Sequence, residues 1–427
     1  MRGRPGLLAV LLTLGACARP IAHPPGCPSD CLRELQVVSS TQPSATPATS
    51  FVHRVGLGLV DETGRPLTLR GTNLGGWLLW EGWIWGASIN VLHFWGQSQS
   101  AMEERLAQAG GADALCRFRQ GVRERFITEA DIAAIADAGF NVVRVPLNHR
   151  DFACEGSPGW TLLDRLLDWC EKHRVYAVLE LHSAPGGQTR FFISDPEPVL
   201  LWDSEQAKDR TVALWRALAQ RYAGRSIVAG YDLLGEPMPP EGDDLVDLDR
   251  RIIAAIRAVD VGHLLIVEGT DYARDFSMFR APLDDNQIYS FHLYTWFGDD
   301  RASRLRGFTR VAAAQGIPMW CGEFGENTLP MLESTLDMFD AQTPALVGWS
   351  FWTWKRTARS NWATLHGLQL PAGWQRLVDW AVNDDGRRPA PEDARRSMEE
   401  FLGAADLARS TSDPGLGKVL SAHARAR

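Results

Sequence analysis

A chain of 427 residues, 45% hydrophobic and 22% charged, can bury a substantial core, and α/β barrels use lengths of this order as single units. Its formal net charge of −8, with no long Lys/Arg run in the body, argues against nucleic acid or an anionic membrane surface as the main partner and favours a neutral ligand. Many of the 17 Trp residues sit beside Gly in loop-like stretches such as Gly75-Gly76-Trp77 and Trp83-Ile84-Trp85-Gly86, which suggests an aromatic-lined cleft.

At the N-terminus, Arg2 and Arg4 precede an apolar run from Leu7 to Leu14 that is too short to span a bilayer. Leu14-Gly15-Ala16-Cys17 resembles the lipobox of bacterial lipoproteins, which implies a lipidated Cys17 as first mature residue and attachment to a membrane. Ala16-Cys17-Ala18 also has the small-x-small form of ordinary signal cleavage. Both readings export the protein, to the cell envelope or beyond. Residues 1–18 are read as the signal and 19–50, rich in Pro, Ser, Thr and Ala, as a tether. An oxidising compartment permits disulfides. Cys27 and Cys31 could close a small loop, Cys116 and Cys154 fall in surface regions, and Cys170 and Cys321 read as buried thiols. Their spacing does not suggest a zinc site.

From Val55 the pattern changes to a hairpin, Gly58–Val60 and Pro66–Leu69 joined through Asp61-Glu62-Thr63-Gly64, expected to plug a barrel bottom. Eight short apolar runs then alternate with helical patterns: Leu69–Asn73, Asn141–Pro146, Tyr176–Leu181, Val228–Leu234, Leu264–Glu268, Ile288–Phe291, Pro318–Cys321 and Val347–Trp352. Continuous apolar strands joined by crossover helices predict a (β/α)8 TIM barrel, an α/β fold, over residues 51–404. Thr128-Glu129-Ala130-Asp131 resembles a capping box and Gly139 can end the same helix. The stretch 77–127 is a long loop insertion after strand one, expected to wall the cleft and to hold a short helix near Met102–Gln108. Residues 405–427 are polar and are expected to form a flexible tail.

Barrel active sites collect side chains from the C-terminal ends of strands. There this sequence places Arg144, His182, Glu236, His292, Tyr294, Glu323 and Trp352, a set that packing does not explain. The segments Arg70-Gly71-Thr72-Asn73-Leu74-Gly75-Gly76-Trp77, Asn141-Val142-Val143-Arg144-Val145-Pro146, Leu179-Glu180-Leu181-His182-Ser183-Ala184-Pro185-Gly186-Gly187-Gln188 and Gly322-Glu323-Phe324-Gly325 resemble glycoside hydrolase family 5. The resemblance implies Glu236 as acid/base and Glu323 as nucleophile, with Arg144, His182, His292, Tyr294 and Trp352 around the sugar.

The chemistry requires one carboxyl to protonate the leaving oxygen and a second carboxylate to meet the oxocarbenium-like centre. Arg144 or Tyr294 would hold Glu323 ionised, while burial and a neighbouring carboxylate would keep Glu236 protonated. Trp352, and Trp354 beside it, could stack on a pyranose. Gly235 departs from the pattern: the family has Asn there, whose amide binds the sugar 2-hydroxyl. Gly235→Asn is therefore expected to restore a missing donor. The reading is a retaining β-glycosidase of β-glucan or β-glucoside, monomeric, without metal or organic cofactor. Endo-β-1,4-glucanase comes first, exo-β-1,3-glucanase or glycolipid glycosidase second, and a catalytically weak sugar-binding barrel third.

Overall fold

The computed structural model describes residues 51–88, 94–296, 298–342, 344–358 and 362–425. The signal, Cys17, the tether, Cys27 and Cys31 lie outside the described residues. Eight parallel strands close into a barrel: β1 (Leu69–Asn73), β2 (Val142–Asn148), β3 (Tyr176–Ser183), β4 (Val228–Asp232), β5 (Leu264–Glu268), β6 (Gln287–Leu293), β7 (Met319–Gly325) and β8 (Leu346–Trp352), with β8 pairing β1.

Strand alternation divides each strand between the barrel interior and the surrounding helices. Val142, Val178, Leu264, Ile266, Ile288 and Trp320 form an apolar plug at the base of the interior. Two to four residues further along the same faces come Arg144, Glu180 and His182, Glu268, Ser290 and His292. The interior thus runs from oil at the base to charge at the mouth. In β7 the register against both neighbours shifts around Gly322. A Cβ at Gly322 would come within 2.4 Å of Ser290 Oγ, so glycine lets the strand bulge there and re-aim Glu323.

The expected hairpin is a three-stranded sheet, because His53–Val55 pairs with Gly58–Val60, which pairs with Pro66–Leu67. Val52 and Leu59 join the apolar plug, so this sheet closes the base of the barrel. Thr128 and Asp131 form the expected capping box, and Gly139 follows at φ 89°.

Three expectations are corrected. The insertion after β1 is more than a loop with one short helix: it carries helices Gln99–Gly110 and Ala112–Arg125. These pack on Pro391–Ala404, and Trp80, Trp85, Phe118, Trp374 and Phe401 interlock in one aromatic cluster. Most Trp residues of this region therefore build core, not cleft wall. The flexible tail is instead a packed helix, Pro414–Arg425, with Leu416 and Leu420 buried. Asp340 accepts from Arg70 at 2.9 Å and pairs with His423 at 2.7 Å, while Arg425 donates to the Asp137 carbonyl at 2.7 Å. Composition concealed this because the Leu416/Leu420 pair is a single helical stripe among Ala and Arg. Cys116 and Cys154 are disulfide-bonded, and Cys154 is buried rather than on the surface. Cys170 and Cys321 are free buried thiols, as expected. No helix among the described residues is long and apolar enough to cross a membrane.

Candidate active site

All seven side chains expected at the strand ends converge at the barrel mouth. Arg144, buried on β2, donates from Nη1 to Glu323 Oε1 at 2.7 Å, and the Tyr294 hydroxyl donates to Glu323 Oε2 at 2.8 Å. Glu236 Oε1 lies 2.6 Å from His292 Nδ1, which is also 3.5 Å from Glu323 Oε2. One oxygen of Glu236, one of Glu323 and a ring nitrogen of His292 lie within 4.8 Å of one another. That closeness belongs to double displacement, which needs about 5–5.5 Å between carboxyl groups, and not to the about 6.5–9.5 Å that admits a water. The His182 ring stacks near Trp352, 6.3 Å between centroids at 25°. Trp354 does not face the site: it is buried, its Nε1 donates to Asp131 at 2.9 Å, and its ring meets His366, so it packs between barrel and helix.

β4 ends at Asp232, two residues earlier than expected, and the chain turns so that Glu236 sits at φ 49°. A left-handed non-glycine residue at a carboxylate that must point into a cavity is strain held by its surroundings. The holding group is Glu268, whose Oε2 accepts from the Glu236 backbone N–H at 2.7 Å.

Glu268, Glu180 and Asp232 form a layer under the reacting pair that the sequence reading passed over. Arg144 donates from Nε to Asp232 at 2.9 Å and from Nη2 to Glu268 at 2.9 Å, and lies 3.4 Å from Glu180. Burial opposes charge on Arg144, but these carboxylates and Glu323 hold its pKa well above the usual value. Burial also works against Glu268, yet His292 and Arg144 hold its carboxyl down at about 2. Asp232 goes the other way: burial, then Glu268, push it well up, with Arg144 opposing. His292 is held well above the usual imidazole range, against burial, by Glu268 and Glu323. Burial raises Glu323 itself, with His292 and Arg144 pulling back and Glu236 adding to the rise.

Strand parity was the available signal for this layer, since Glu180 stands two residues before His182 and Glu268 closes the one middle strand to which no candidate had been assigned. Glu81, on the insertion after β1, is a further addition. It accepts from Trp83 Nε1 at 2.8 Å, and burial lifts its carboxyl to about 8, with Glu323 and Glu326 adding to the rise and His182 opposing it.

Gly235 is not the vacancy the sequence suggested. A Cβ there would lie 1.8 Å from Glu180 Oε1 and 2.7 Å from His182 Nδ1. Its own N–H is taken by the Leu181 carbonyl and its carbonyl by Gln188 Nε2 at 2.8 Å, so it offers the sugar no donor. Asn could enter only by displacing the Glu180 carboxyl and shifting the His182 ring, which corrects the expectation that Gly235 leaves an empty place.

Comparison with known proteins agrees with this geometry. The family model "Cellulase (glycosyl hydrolase family 5)" matches residues 108–358. A β-xylosidase of Phanerodontia chrysosporium is 31% identical over 342 residues, covering 70% of each chain. Endoglucanase C of Acetivibrio thermocellus is 32% identical over 182 residues, which is 41% of this chain and about half (52%) of that enzyme. A probable glucan 1,3-β-glucosidase A of Emericella nidulans is 26% identical over 361 residues, 69% of this chain and 87% of that protein.

Proposed function

We propose, from the premise that this chain belongs to glycosyl hydrolase family 5 and is a retaining O-glycosyl hydrolase, that it removes terminal β-linked glucosyl or xylosyl units, with Glu323 as nucleophile and Glu236 as acid/base. The observation that carries the roles is the close pair itself: Glu323 receives two donors, Arg144 and Tyr294, while the Glu236 carboxyl pairs with His292. In the first step Glu236 protonates the glycosidic oxygen as a Glu323 oxygen bonds to the anomeric carbon, and the C–O bond to the leaving group breaks. In the second, Glu236 takes a proton from water, whose oxygen displaces Glu323, and two inversions give retention. The Tyr294 hydroxyl and Arg144 carry the carboxylate charge before attack and receive it again on release.

One feature favours terminal over internal cleavage and ranks it ahead of the first expectation of an endo-β-1,4-glucanase. The relatives that match about 70% of the chain are named as a β-xylosidase and a glucan 1,3-β-glucosidase, whereas the endoglucanase match spans 41%. Product analysis on aryl β-glucoside, aryl β-xyloside, β-1,3- and β-1,4-gluco-oligosaccharides and carboxymethyl cellulose tests this. Single sugars released with β-configuration are expected. A rapid fall in cellulose viscosity would overturn the terminal reading, and an initial α-product the assignment of the pair. Export, with lipidation at Cys17, remains part of the same proposal, and the disulfide-bonded Cys116 and Cys154 support an oxidising compartment.

A further inference from the structure

Glu180 and Gly235 fit one another as a pair. Glu180 is wholly buried on β3, and its Oε1 stands 1.8 Å from where any side chain at 235 would have to begin. The same oxygen lies 2.8 Å from His182 Nδ1 and 3.4 Å from Arg144. Its Oε2 is buried without a hydrogen-bond partner among the described residues. Because Glu180 and His182 are two apart on one strand, both project from the same face, and the carboxylate fixes which ring nitrogen is occupied. With Nδ1 engaged, Nε2 is the donor left to the ring, whose face lies beside Trp352.

We propose that Glu180 is a positioning residue that fills the room left by Gly235 and holds His182 as the donor to a hydroxyl of the bound glycone, replacing the side chain absent at 235. The charged groups facing His182 are Glu180, Glu323, Arg144 and Glu81. Burial disfavours the imidazolium, but Glu180 and then Glu323 override it and lift the ring to about 9, with Arg144 opposing. A charged donor hydrogen-bonds more strongly than a neutral amide, so the exchange preserves recognition while changing its pH dependence. This inference rests on reading Glu236 and Glu323 as the reacting pair.

Glu180→Gln keeps the volume and removes the charge. It is expected to lower kcat/KM on an aryl glycoside by about tenfold or more, the loss of one charge-assisted hydrogen bond, and to move the alkaline limb of the kcat/KM profile to lower pH, because His182 then loses its proton earlier. Gly235→Ala should lose activity through its clash with Glu180. The double variant Glu180→Ala with Gly235→Asn should recover activity relative to Glu180→Ala alone, since an amide then has the position and needs only a small shift of the His182 ring, whose Nδ1 would lie 2.7 Å from the new Cβ. An unchanged rate and pH profile in E180Q, full activity in G235A, or no recovery in the double variant would each overturn the pairing.

NMR titration of the His182 imidazole in the unaltered protein needs no variant to fold: a charged ring at pH 7.5 is expected, and a neutral one refutes the proposal. That readout is independent of turnover. An inactive enzyme with a charged His182 would count against the functional reading, and a neutral His182 in an active enzyme against this inference.

Discussion

Replacing Glu268 by Gln retains the side chain's shape and removes a charge that four groups share: the Glu236 N–H at 2.7 Å, Arg144 at 2.9 Å, His292 Nε2 at 3.2 Å and the Ser290 hydroxyl at 3.3 Å. The carboxyl drops from 4.5 to about 2 on folding, and at 1.36 kcal/mol per unit this is roughly 3 kcal/mol of stability. Removing one partner of a buried ion pair typically costs about 3–5 kcal/mol, so the two routes agree. The sign follows from the depressed value. The contribution is fully present above pH 4.5 and is lost as pH falls towards 2. Urea unfolding of E268Q and the parent at steps from pH 6 to pH 2.5 should therefore show a gap near 3 kcal/mol at pH 6, as estimated above, that narrows with acidification. At pH 6 kcat should fall as well, because the amide holds the left-handed Glu236 backbone and the His292 ring less firmly. A gap independent of pH would mean that Glu268 acts by shape alone and that the charge argument is wrong.

Glu323→Gln should abolish turnover, by roughly a thousandfold or more, in a protein that still folds, because an amide of equal volume cannot form the glycosyl ester; appreciable activity removes Glu323 from the mechanism. Glu81 is held at about 8 in the fold against 4.5 outside it, so between those values the folded state keeps a proton the unfolded chain has released, and stability falls as pH rises. Glu81→Gln should gain on the parent in melting temperature from pH 5 to pH 8, and a constant difference across that range would contradict the burial argument. Cys17→Ala should move the mature protein from the membrane fraction to the soluble one, as expected if acyl chains supply the anchor; an unchanged distribution leaves ordinary secretion as the account.

The barrel was legible because eight short, largely apolar stretches such as Val142–Val145 and Leu264–Val267 alternate with helical patterns, and the reacting pair because both Glu residues stand just past the ends of two of those stretches. Boundaries slipped where a side chain had to be aimed. β4 stops early to turn Glu236 inward, and β7 runs on through a bulge to Gly325. The acidic layer of Glu180, Asp232 and Glu268 was hidden since each residue, taken singly, looks like a polar interruption of an apolar strand; only closure of the barrel brings all three to one arginine. Gly235 misled for a related reason. A missing side chain reads as an empty place in one dimension, and in three the place is filled from the neighbouring strand. The Trp residues after β1 misled through composition, because their partners Trp374 and Phe401 lie far off in sequence.

The small sheet beneath the barrel also decides where the chain enters the domain. Phe51 meets His263 just before β5, and Arg54 clasps the Asp285 and Gly316 carbonyls in the turns that lead into β6 and β7. The polypeptide therefore enters the domain at the pole opposite Glu236 and Glu323. A lipid at Cys17 would join the barrel, through the tether, on the side away from its mouth, so that the chain leading from the anchor does not cross the path of a saccharide to the catalytic pair.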